Sequence, residues 1–239
     1  MAGPTSSSSP GNARKPGPEA EAEVRGKGSS DALLERQDAS SERKKGRVAA
    51  TQARKESVLK AALACFALRG VEHTTISDIQ REARCSIGSL YHHFGSKEGI
   101  AEELFLDGIQ RLNRGMLKKV RSAGSCEESV RAVVDYYCEW VTRNQDLARY
   151  LHSRDIDFTA ESRRRLHEIH RTYITAIFTW FAPFVERGEM RVLPIETYVP
   201  LISGPIQEYV RRWLSGQHQT SPRRVKALFA EAAWNAVKG

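Results

Sequence analysis

The chain has 239 residues, of which 40% are hydrophobic and 28% charged, and its formal net charge is +8. That length holds one or two domains with a sizeable core, and a basic balance suits a polyanionic partner. No run of about eighteen apolar residues exists to cross a membrane, and no apolar stretch near the N-terminus reads as a secretory signal, so a cytoplasmic protein is expected.

Residues 1–50 differ in composition from the rest. Pro4, Pro10, Pro16 and Pro18, a run of four serines and scattered glycines predict a disordered tail, because little apolar surface is available to offset chain entropy. The tail ends in the basic cluster Arg43-Lys44-Lys45-Gly46-Arg47, which reads either as a solubilising linker end or as an arm laid along phosphates. The basic surplus is denser over 54–121 than over 122–239.

From Arg54 to Arg69 the residues Val58, Ala61, Ala62, Cys65, Phe66 and Leu68 keep helical period, and Gly70 stops the helix. Thr75 then caps a short helix carrying Asp78 in its first turn and Ile76, Ile79 and Ala83 on one side. Arg84 and Cys85 make a turn, Ser86 caps a second short helix, and Gly95 ends it before Ser96 recaps a third. Helix, tight turn, helix is the arrangement that lays a second helix in the DNA major groove.

The run Ser86-x-Gly88-x-Leu90-Tyr91-x-His93-Phe94-x-Ser96-Lys97-Glu98, with Thr75-x-x-Asp78-Ile79 before it, resembles the DNA-binding motif of the tetracycline-repressor (TetR) family. The likeness covers about forty-five residues, from Arg54 to Glu98. It departs from the family in the turn, where Arg84 stands in place of a small residue and must accept a positive φ unless the turn differs. The resemblance implies phosphate contacts for Thr75, Tyr91 and Lys97. Short exposed residues on the second helix (Ser86, Gly88, Ser89, His92) suit base edges, and the DNA-contacting set is completed by Arg54, Arg81, Arg84 and Ile87.

The remaining pattern is all-α. Lys97 to about Val120 reads as one long helix shared between the DNA unit (51–98) and a second domain (99–239). Helices follow over Glu127–Arg143 and Gln145–His152, from Thr159 or Ala160 onward, from Glu196 to Leu214 with a break at Gly204-Pro205, and from Ser221 to Val237. The resemblance implies an effector pocket in this half, for which Phe105, Ile109, Tyr137, Trp140, His170 and Tyr173 are the candidate lining. Apolar stripes bearing Ile206, Tyr209, Val210 and Trp213, then Val225, Leu228, Phe229 and Ala232, predict a homodimer built from the last two helices.

Enzyme signatures are missing: no phosphate-binding glycine loop and no GxSxG occur, and His167-Glu168-Ile169-His170 falls one residue short of HExxH. No cofactor, metal or catalytic residue is expected. The four cysteines have no CxxC spacing and read as reduced thiols, Cys85 being either a small packed thiol or a redox switch beside the turn. The expected function is a regulator that binds a double-stranded DNA operator and is released by a small apolar or aromatic effector. The alternative is a DNA-binding protein with the same head, controlled by a protein partner or acting architecturally.

Overall fold

A computed structural model describes residues 18–153 and 156–239, with side chains from 44 onward. The described residues form nine helices and no strand. The helices are α1 (Pro18–Arg69), α2 (Ile76–Ala83), α3 (Ile87–Phe94), α4 (Lys97–Arg121), α5 (Cys126–Arg143), α6 (Gln145–His152), α7 (Ala160–Glu186), α8 (Ile195–Leu214) and α9 (Pro222–Val237). No helix among the described residues is long and apolar enough to cross a membrane.

The chain divides into two units, 1–54 and 55–239. In the first, the backbone is helical from Pro18, and residues 44–54 are exposed wherever they belong to that unit. The expected tail therefore carries helix from residue 18; its first seventeen residues lie outside the described ones. Glu, Ala, Arg and Lys dominate the segment, and these are strong helix formers, while a proline at the first helical position loses no hydrogen bond. Lys44, Lys45 and Arg47 sit on this helix and are exposed.

The second unit holds two apolar cores. The smaller gathers Val58, Leu59, Ala62 and Phe66 of α1, Ile79 of α2, Leu90 of α3, and Ile100, Ala101 and Leu104 of α4 around Tyr150 of α6. Tyr150 stacks on Phe66 at 5.8 Å, and its hydroxyl donates to the Ala101 carbonyl at 2.7 Å. Leu68, expected inside, is 77% exposed, and Leu59 takes its place. The larger core is built on α5, with Val130, Val134, Cys138 and Val141 facing α8 and α9. Met116 and Val120 of α4 belong to it, so α4 serves both cores.

Near its N-terminal end α4 also carries Glu102, only 5% exposed. Its carboxylate accepts from the Thr159 N–H, from Thr159 Oγ1 at 3.0 Å and from Ser162 Oγ. These donors open α7, where free N–H groups and the helix dipole favour an anion, so the buried charge is compensated. Helix α8 runs unbroken through Pro200 and Pro205, which corrects the expected interruption at Gly204-Pro205. Burial of Ile202, Ile206 and Val210 against the larger core outweighs the hydrogen bond that Pro205 removes.

Gly99 decides how closely α3 meets α4. A Cβ there would lie inside van der Waals distance of the Phe94 carbonyl oxygen, a backbone atom that cannot swing aside. Gly99→Ala is expected to lower unfolding free energy by about 1–3 kcal/mol in urea titrations, as overpacking does. Gly88→Ala, where a Cβ meets nothing within 4 Å, is the control and should not destabilise.

Candidate DNA interface and ligand cavity

Local hydrogen bonds hold the α2–α3 pair. Thr75 and Asp78 form a capping box: the Asp78 N–H donates to Thr75 Oγ1 at 3.2 Å, and the Thr75 N–H donates to Asp78 Oδ2 at 3.0 Å. Arg69 of α1 closes on the same carboxylate at 2.8 Å, a partner that no local motif announces. The Thr75 hydroxyl and N–H, with Arg69, hold the Asp78 carboxyl far below the usual carboxylate range. Arg84 adopts the left-handed conformation at φ 51°, ψ 45°, so the turn keeps its geometry with an arginine in the position that glycine suits. The Cys85 N–H donates to the Gln80 carbonyl, and Gln80 Nε2 donates back to the Cys85 carbonyl at 2.9 Å. Ser86 then caps α3 through the Ser89 N–H at 3.2 Å.

This leaves Arg84, Ser86, Ile87, Gly88, Tyr91 and His92 exposed, with Ser89 half-buried. Gly88, Tyr91 and His92 recur at the three- and four-residue spacing of one face of α3, and Arg84 stands in the turn before it. Thr75 and Arg81 are exposed on α2. Lys97 differs: its ammonium donates to the carbonyls of Val71 at 2.9 Å and Glu72 at 3.2 Å, tying the start of α4 to the loop before α2. Arg54 is exposed and belongs to the other unit.

Between α4, α5, α7 and α8 lies a cavity of about 460 Å³. Leu112 and Met116, Val133 and Tyr137, Tyr173, Ile177 and Phe181, and Tyr198 and Ile202 supply most of its walls. Of the six residues expected to line a pocket, Tyr137 and Tyr173 do so; Phe105, Ile109, Trp140 and His170 do not. Phe105 packs edge-on to Phe158 at 5.1 Å in the smaller core, Trp140 packs half-buried against the larger one, Ile109 is half-buried off the cavity, and His170 is exposed. The Tyr137 hydroxyl pairs with His152 Nε2 at 2.8 Å. Burial, then Arg211, lowers the His152 pKa, while burial pushes Tyr173 up to about 12, so both are neutral near pH 7. No group of three metal-ligating side chains occurs among the described residues.

The expected dimer stripes divide between two surroundings. Ile206 and Val210 are fully buried in the subunit's own core. Tyr209 stacks on His218 and donates to the Thr220 carbonyl, while Trp213, Val225 and Phe229 are half-buried. Leu201, Ala232 and Leu228, the last 69% exposed, remain at the surface.

Residues 58–104 match the N-terminal region of bacterial regulatory proteins of the tetR family. The fatty acid metabolism regulator of Bacillus subtilis is 22% identical over 66% of this chain and 81% of its own length. The transcriptional repressor KstR2 of Mycolicibacterium smegmatis is 46% identical over 59 residues, 25% of this chain and 29% of that repressor. In fold, the chain is similar to the Bacillus subtilis regulator FadR in complex with stearoyl-CoA. That TM-score is 0.67 at 19% identity, covering 76% of this chain and 98% of the other. Arg84 offers a test of the turn. The left-handed conformation costs a non-glycine residue about 1–2 kcal/mol, against about 0.4–1 kcal/mol for the extra unfolded freedom of glycine. Arg84→Gly should therefore raise unfolding free energy by about 1 kcal/mol in urea titrations. In DNA titrations it should weaken binding and flatten the salt dependence by about one counterion.

Proposed function

We propose that this chain, which belongs to the tetR family of bacterial regulatory proteins, is a ligand-responsive repressor that binds an operator as a homodimer. The observation that carries the reading is the exposed face of α3, held by capped turns and bare of large apolar side chains except Ile87 and Tyr91. Gly88 brings the helix axis close to base edges, Ser86, Ser89 and His92 supply short donors and acceptors, and Thr75, Tyr91, Arg81 and Arg84 reach phosphates. Lys97 acts first by fixing the loop before α2. One such helix reads few base pairs, so two heads on successive major grooves are needed for useful specificity.

The cavity takes an apolar effector. An acyl chain is the candidate class, supported by the stearoyl-CoA complex of the Bacillus subtilis regulator and by the apolar walls between α4 and α8. Occupation favours a conformation in which the two recognition helices no longer match successive grooves.

An operator selected from random duplexes is the test. The protein should retain a palindromic site, and stearoyl-CoA should release it; retention of a site with no release by any acyl ligand would remove the effector from the account. The dimer has its own test. Leu228→Glu places a charge in the expected seam, where Leu228 and Ala232 are exposed. Sedimentation should report a helical monomer with much reduced operator affinity, whereas an unchanged dimer would move the interface elsewhere.

A further inference from the structure

The cavity has one polar feature that its packing leaves unexplained. Asn113 of α4 lines it, and Asn113 Nδ2 is buried with no hydrogen-bond partner among the described residues. A buried donor left unmade is costly, so such a group calls for a partner that completes it. Apart from Tyr173, the neighbouring polar side chains are bonded elsewhere or exposed, Tyr198 donating to the Arg191 carbonyl. Tyr137 pairs with His152, Ser203 Oγ donates to the Val199 carbonyl at 2.9 Å, and Glu186 and Gln207 are exposed. A buried water needs two to four polar partners, and this lining has few to give.

Charge narrows the class further. None of the described lining side chains is cationic, and the one carboxylate, that of Glu186, belongs to an exposed residue. A ligand carboxylate or phosphate drawn inside would lose its hydration and meet no counter-charge.

We infer that the Asn113 amide is the anchor of this cavity and that its ligand is neutral inside the protein, apolar along its length, with one carbonyl-type acceptor facing Asn113. The inference rests on reading the cavity as the effector site, and it names the chemistry that site selects. It separates a neutral ketone, ester or thioester from the corresponding free acid.

The full-length chain is titrated at pH 8 with decane, 2-decanone and decanoate, in wild type and Asn113→Leu, with affinity measured by equilibrium partition. Asn113→Leu should weaken 2-decanone roughly three- to tenfold, the range of one hydrogen bond, and leave decane within about twofold. The ligand-free variant should melt higher, since an unmet donor has been replaced by an apolar group. Wild type should bind decanoate at least roughly tenfold more weakly than 2-decanone. Equal losses for decane and 2-decanone, or no loss, overturn the anchor while leaving an apolar effector site intact. Decanoate binding as tightly as 2-decanone overturns the neutral class. Failure of all three probes to bind overturns both the anchor and the wider reading of the cavity. If Asn113→Leu does not fold, the wild-type order of 2-decanone over decanoate and the same comparison in Asn113→Val decide the matter.

Discussion

Helix α4 is buried twice. Its first turns place Ile100, Ala101 and Leu104 among the residues that hold α2 and α3, and its last turns place Met116 and Val120 in the core of α5, α8 and α9. Such a helix is a stiff rod, and neither core can repack around it without disturbing the other. The cavity opens on the same rod through Leu112, Asn113 and Met116. A second connection runs beside it. The buried carboxylate of Glu102 receives the first donors of α7, the helix that carries Tyr173, Ile177 and Phe181 to the cavity wall. The cavity and the α2–α3 head therefore share α4 and the groups packed on it, a contiguous set through which a coupling between two sites can be carried.

The head is over-determined where it needs to be. Capping at Thr75, Ser86 and Ser96 satisfies the opening N–H groups of three successive helices, and Lys97 and Arg69 cross from one element to another to fix the loops between them. Within this frame the protein tolerates Arg84 in a conformation suited to glycine. A strained residue persists only when its surroundings fix it, and here the paired bonds of Gln80 with Cys85 do so. The strain sets a cationic side chain beside the exposed face of α3, where a glycine could not supply one.

Much of this was legible in the residue order because it is local. Caps at Thr75, Ser86, Ser96 and Thr159 are set by a side chain and a backbone N–H two or three residues on, and the 3.6-residue period of Val58, Ala62 and Phe66 needs no knowledge of the partner surface. What was hidden depends on which surface a helix meets. Periodicity put Phe105 on an apolar face of α4 but could not say that this turn faces the smaller core, seven residues before Leu112, where that helix first lines the cavity. Ile206 and Leu228 read alike as members of apolar stripes, yet one is sealed inside and the other is at the surface. Pro205 reads as a breaker until the burial of Ile202 and Ile206 on either side outweighs it. Asn113 has a signal in the residue order: a polar amide at helical spacing from Ile109, Met116 and Leu117, on the side of α4 that is otherwise apolar.

On the proposed function, the cavity and the α2–α3 head share one equilibrium. Linkage makes the claim measurable without identifying the path: whatever factor a ligand imposes on operator affinity, the operator must impose on ligand affinity. The direct measurement is to titrate stearoyl-CoA into the free protein and into the saturated protein–operator complex, and separately to titrate the operator with and without saturating stearoyl-CoA. Ligand binding to the complex should be weaker, by the same factor that the ligand weakens operator binding. Equal ligand affinity for the free and the operator-bound protein would show that the cavity and the head are uncoupled.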